Sequence, residues 1–203
     1  ILHAVLHIYR RNRNARVVIL PSDHFIKEEE IFMEHIRCAV SLVDVCPNIP
    51  ILIGADPCYD EMEYGWIEPG ERIAEYRNPS LFQVRSFWEK PDKEITRELH
   101  RSGCLWNTMI IAANVTVLVN LFREHTPDIF RRFAPLWNGF TSSRRSRIVE
   151  DVYSALPPVN FSRAILEPSA KRFAVLPVDG AYWSDWGQES RIRMDAERFN
   201  LRL

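Results

Sequence analysis

The chain has 203 residues, room for one or two domains, and its 26 Lys plus Arg against 27 Asp plus Glu leave a net charge of −1. That balance disfavours a nucleic-acid binder relying on phosphate neutralisation, and no apolar run approaches the ~18 residues a membrane span needs. A hydrophobic share of 46% is ordinary for a globular protein and too high for a disordered one. The seven glycines never fall in a G-x-G pattern, which removes the dinucleotide fingerprint and the P-loop from these residues.

The opening, Ile1-Leu2-His3-Ala4-Val5-Leu6-His7-Ile8, has no cap before an already apolar segment, and no signal-peptide features. It reads as the middle of a helix, so a fragment of a longer chain is expected. Cysteines 38, 46, 58 and 104 show no C-x-x-C spacing, and Cys38 falls on the apolar side of a helix, where a buried thiol is expected. This usage suits reduced thiols and a cytoplasmic location.

Arg16–Leu20 is a short β-branched run that reads as a strand buried on both faces of a parallel sheet. Glu28–Val45 is an amphipathic helix, with Ile31, Phe32, His35, Ile36, Ala39, Val40 and Val43 at helical spacing and Pro47 ending it. Ile51–Gly54 is a second buried strand, completing one βαβ unit. Tyr64–Gly70 suggests a short strand and a turn, whereas Phe82–Trp88 alternates as a strand with one more exposed face. Asp92–His100 reads as a short helix closed by Gly103 in a left-handed cap. Leu105–Ala113 is a strand, Val115–Glu124, Asp128–Trp137 and Ser146–Leu156 are helices, and Arg172–Val178 is a late strand leading into Tyr182–Asp185. Arg144, Arg145 and Arg147 form a basic cluster, read as a solvated loop. With no repeat and no linker, residues 1–203 read as a single α/β domain.

Asp23 follows the first strand, where open α/β sheets bind ligands. There a carboxylate can hold Mg²⁺ together with substrate phosphates, or simply cap the next helix; spacing leaves both readings open. His24 reads as a structural hydrogen-bonding residue rather than a base. Glu89-Lys90-Pro91 sets an acid beside a base at a strand end, and Asp185 sits between Trp183 and Trp186. His3 and His7 are spaced i, i+4, but without a third ligand they read as core or surface residues.

Five segments in order resemble the sugar-1-phosphate nucleotidyltransferases, and among these most resemble the mannose-1-phosphate guanylyltransferases. They are Pro21-Ser22-Asp23-His24-Phe25, Tyr64-Gly65-Trp66-Ile67-Glu68-Pro69-Gly70, Phe87-Trp88-Glu89-Lys90-Pro91-Asp92, Gly103-Cys104-Leu105-Trp106-Asn107-Thr108 and Trp183-Ser184-Asp185-Trp186-Gly187. The resemblance implies a Rossmann-like mixed, mostly parallel sheet flanked by helices, lacking its N-terminal portion. It implies that Asp23 and Asp185 bind Mg²⁺, Lys90 contacts the sugar phosphate, Glu89 hydrogen-bonds sugar hydroxyls, and Gly65 and Asn107 contact the sugar.

The activity implied is transfer of a nucleotide to a sugar 1-phosphate with release of pyrophosphate, foremost mannose 1-phosphate plus GTP giving GDP-mannose. Uridylyl or thymidylyl transfer to another sugar, and a non-catalytic regulatory homologue, stay open. The substrates are the expected partners, without nucleic acid or membrane; a homo-oligomer stays open. The family's Gly-rich triphosphate loop and base-reading segment lie upstream of Ile1, so the 203 residues alone are expected to be inactive. Met109 stands where a glycine is common in the family, and Ser162 where many relatives have an acid.

Overall fold

The computed structural model describes residues 1–73, 80–133 and 149–202. The expected opening helix forms as α1 (Leu2–Arg11), burying Leu2, Val5 and Leu6. β1 (Arg16–Ile19) and β2 (His24–Ile26) precede α2 (Glu29–Val45), whose buried Phe32, Ile36, Ala39 and Val43 follow the expected spacing. Leu42 is also buried, Ile31 stays exposed, and Cys38 is half-buried. β3 (Ile51–Ala55) is buried throughout. β4 (Gly65–Arg72) and β5 (Phe82–Glu89) form an antiparallel hairpin.

Asp92 caps α3 (Lys93–Arg101), its carboxylate accepting from the backbone N–H groups of Glu94 and Ile95, and Gly103 takes φ 73° beyond it. β6 (Leu105–Asn114), α4 (Val115–His125) and α5 (Pro127–Arg132) follow. A wide π-helical turn at Ser162–Leu166 leads to β7 (Ala174–Val178), β8 (Trp183–Asp185) and α6 (Glu189–Phe199).

The main sheet has the order β1-β6-β3-β7-β5-β4, and β8 pairs separately with β2. β1, β3, β4 and β7 point one way while β5 and β6 oppose them, so the sheet is mixed; β3 and β7 are adjacent and parallel. Side chains alternate between two cores. Ile51, Ile53 and Ala55 face the layer of α2, whereas Leu52 faces that of α1 and α4. The result is a helix–sheet–helix sandwich.

Three sequence expectations need correcting. β1 is not buried on both faces: it is an edge strand with only Val17 buried, paired antiparallel with β6. β6 lies between β1 and β3, so the βαβ unit is split; a four-residue apolar run cannot distinguish an edge from a centre. Pro69-Gly70 makes no turn but sits within β4 at a register shift, where a bulge accommodates the proline's missing N–H. α6 was not among the expected elements, because the apolar pattern did not reveal it. The basic cluster at Arg144, Arg145 and Arg147, the end of the helix expected to reach Trp137 and the start of that expected from Ser146 lie outside the described residues.

Candidate active site

Three strands converge on one cleft of about 290 Å³. In the β4–β5 hairpin, Gly65 pairs with Glu89, and Trp66 pairs with Trp106 of β6, so Asn107 arrives beside both. Gly65, Glu89, Lys90, Asn107 and Asp185 all line the cleft. Glu89 is held from two sides: its carboxylate accepts from Asn160 Nδ2 at 3.0 Å, and its backbone N–H donates to Glu167 Oε1 at 2.9 Å.

Gly65 is needed for close approach. A Cβ there would lie 2.9 Å from Phe87 Cζ, 3.3 Å from Glu89 Oε2 and 3.4 Å from Asn107 Cβ. Phe87 is buried and cannot swing away freely. Gly65→Ala is therefore expected to cost about 1–3 kcal/mol by overpacking. It should also displace the Glu89 carboxylate; a denaturant titration beside a ligand titration measures the two effects.

Lys90 has φ 50° immediately before Pro91, in a left-handed conformation that costs an L-residue roughly 1–2 kcal/mol and that a following proline further disfavours. Its Nζ lies 3.0 Å from Glu63 Oε2, and both side chains are about half exposed. The hydrogen bond from Lys90, aided by its charge, holds the Glu63 carboxyl below its usual range. An exposed pair of this kind is weak, so an incoming anion can take the ammonium from Glu63.

Asp23 and Asp185, 162 positions apart, are brought together by the β2–β8 ladder, in which His24 pairs with Asp185. Asp23 Oδ2 and Asp185 Oδ1 lie 3.6 and 2.8 Å from the point where a Cβ on Gly187 would sit. Asp23 does not cap α2, whose N-cap residue is Glu28. Two converging carboxylates fit a hard cation such as Mg²⁺, which completes its shell with waters and substrate phosphates. Among the described residues, no group of three or more His, Cys, Asp or Glu could form a self-sufficient metal site.

His24 Nδ1 accepts from Trp183 Nε1 at 3.1 Å, which requires a neutral ring and gives the histidine the structural role expected of it. Burial pulls its pKa below the ordinary value, against the upward pull of Asp185 and Asp23. His3 packs against Phe133 and Tyr153, also as a structural residue.

Several residues around the site escaped the sequence reading. Arg191, with its side chain only 8% exposed, reaches Asp185 Oδ2 at 3.5 Å and Glu61 Oε2 at 3.4 Å, and its guanidinium lies 4.4 Å from the centre of the Tyr64 ring. Tyr64 Oη in turn accepts from the backbone N–H of Asp185 at 3.2 Å. Asp195, fully buried, accepts from Tyr182 Oη at 2.7 Å and Trp186 Nε1 at 2.8 Å, tying α6 to the segment that carries Asp185. Burial, then the bond to Asp195, pushes the Tyr182 phenol pKa well above its usual range.

A mixed sheet with two converging carboxylates and a lysine–glutamate–asparagine cleft suits an enzyme that handles phosphates. The chain belongs to the Nucleotidyl transferase family, whose model matches residues 1–198. It is 27% identical over 191 residues to mannose-1-phosphate guanylyltransferase 2 of Escherichia coli O157:H7, covering 91% of this chain and 39% of that protein. It is 26% identical to a mannose-1-phosphate guanylyltransferase of Sinorhizobium fredii, covering 93% of this chain and 36% of that one. The chain thus spans well under half the length of these relatives.

Two solved structures share the fold. A Thermus thermophilus protein described as a mannose-1-phosphate geranyltransferase has a TM-score of 0.78 at 24% identity, over 98% of this chain and 54% of that one. A Helicobacter pylori mannose-6-phosphate isomerase has a TM-score of 0.72 at 20% identity, over 89% of this chain and 69% of that one. No helix among the described residues is long and apolar enough to cross a membrane.

Proposed function

We infer that this chain supplies the sugar-phosphate and metal side of a sugar-1-phosphate nucleotidyltransferase, with mannose 1-phosphate and GTP as the leading substrates. The observation that carries this reading is the gathering of Gly65, Glu89, Lys90, Asn107 and Asp185 around one cleft, with Asp23 converging on Asp185. Lys90 offers a point charge to the sugar phosphate, while Glu89 and Asn107 offer an acceptor and an amide to its hydroxyls. Gly65 lets Phe87, Glu89 and Asn107 close in on the strand where a Cβ would intrude.

In the reaction a sugar-phosphate oxygen attacks the α-phosphorus of the nucleotide. The new P–O bond forms as the α–β phosphoanhydride bond breaks, and pyrophosphate leaves. Such chemistry needs charge neutralisation and in-line positioning more than proton transfer. Asp23 and Asp185 would hold a Mg²⁺ ion, which would supply neutralisation of phosphate charge. Guanine and mannose are preferred here because the relatives named for guanylyl transfer to mannose 1-phosphate match most of this chain.

The test is calorimetric titration of the 203-residue chain with mannose 1-phosphate and Mg²⁺, paired with a pyrophosphate-release assay. Saturable sugar-phosphate binding without turnover is expected, since these residues contain no Gly-rich loop to cradle a triphosphate. Robust turnover would show that the triphosphate is held by residues other than such a loop. Failure to bind any sugar phosphate would favour a non-catalytic module.

A further inference from the structure

β6 runs unbroken through Met109 but bulges there. Its partner β3 shifts register between Leu52 and Gly54, and Met109 itself takes φ 57°, the left-handed region that suits glycine. This kink turns Met109 back onto Asn107. The Met109 backbone N–H donates to Asn107 Oδ1 at 3.2 Å, and Asn107 Nδ2 donates to Met109 Sδ at 3.1 Å. The carboxamide is therefore held at both ends, which fixes which end is oxygen and leaves its second N–H as the free donor.

The same sulfur accepts from Ser162 Oγ at 3.5 Å, and Ser162 belongs to the π-helical turn. Met109, Asn107 and Ser162 all line the cleft. One thioether thus bridges β6 and the wide turn and fills the space between them. A sugar substituent directed there meets a polarisable apolar group where a glycine would leave open volume.

We propose that Met109 is a specificity-determining residue: it walls the sugar subsite next to Asn107 and restricts it to hexose phosphates without a bulky substituent. The inference rests on the sugar-phosphate reading of the cleft. Discrimination arises from filled volume, with the thioether's hydrogen bonds orienting Asn107. Small hydrophobic pocket contacts discriminate by roughly 10- to 200-fold, which sets the scale.

The experiment measures Kd for mannose 1-phosphate and for an N-acetylhexosamine 1-phosphate by calorimetry, on the wild-type chain and on Met109→Ala, Met109→Gly and Met109→Leu. The wild type should prefer mannose 1-phosphate by about tenfold or more. Met109→Ala and Met109→Gly should shrink that ratio at least severalfold, with the N-acetyl sugar gaining affinity. Met109→Leu, which keeps the volume without the sulfur, should hold the ratio while mannose 1-phosphate binds more weakly through a loosened Asn107. Met109→Gly also relieves the left-handed backbone, so a folding defect does not mask the result. Wild-type binding with an unchanged ratio in all three variants overturns this inference alone. Absence of sugar-phosphate binding to the wild type overturns the proposed function and this inference with it.

Discussion

Lys90→Met is expected to raise the Kd of this chain for mannose 1-phosphate by roughly 10- to 150-fold, because a hydrogen bond involving charged groups contributes about 1.5–3 kcal/mol. Methionine keeps much of the apolar stem and removes only the ammonium. Lys90→Gly separates charge from backbone: glycine accepts the φ of 50° at no steric cost, so this variant should be at least as stable as the wild type. It should nevertheless bind sugar phosphate as poorly as the methionine variant. Glu63→Gln removes the competitor 3.0 Å from Nζ and should leave affinity equal or slightly tighter. An unchanged Kd in both Lys90 variants would mean that Glu89-Lys90 is ordinary surface charge.

The parts of this molecule that were legible in its sequence obey apolar periodicity. α2, β3, β5 and α3 bury apolar groups at helical or alternating spacing or as one continuous run, or carry an unambiguous cap at Asp92, and all four are observed close to their expected places. α6 failed that test for a physical reason. Its buried residues are Arg191 and Asp195, satisfied by ion pairing, ring stacking and hydrogen bonds, so no apolar stripe exists to be read. The wide turn at Ser162–Leu166 has no sequence signature either.

The site was legible in its components and not in its assembly. Asp23 stands out after a short strand, and the ordered motifs name the other candidates, Lys90 among them. The Lys90–Glu63 contact depends on the register of β4 against β5, and the Asp23–Asp185 contact on a ladder of two three-residue strands. Neither pairing is fixed by local residue preferences. Met109 was readable as an unusual residue, but its consequence for Asn107 needed the positive φ and the position of its sulfur.

Arg191→Met is expected to produce the largest loss of stability. Its guanidinium is the buried cation between Glu61 and Asp185, whose side chains are 15% and 31% exposed. Removing one partner of a buried ion pair costs about 3–5 kcal/mol, because the charges left behind are neither solvated nor neutralised. The partial exposure of Asp185 and the 3.4–3.5 Å separations place this case near the lower end, about 3 kcal/mol. At roughly 2–4 °C per kcal/mol for a chain of this size, Tm should fall by about 6–12 °C. Arg193→Met is the control: its pair with Glu189 is exposed, and stability should shift by less than about 0.5 kcal/mol.

Mg²⁺ distinguishes a positioning role from simple packing. With Arg191 gone, Asp185 loses its nearby cation while Asp23 still converges on it, so Mg²⁺ should raise the Tm of Arg191→Met more than that of the wild type. Sugar-phosphate affinity measured at saturating Mg²⁺ should then recover further than affinity measured in a chelator. Equal Mg²⁺ shifts in both proteins would mean that Arg191 supports the fold through Glu61 and Tyr64 and has no part in holding Asp185 ready for a cation.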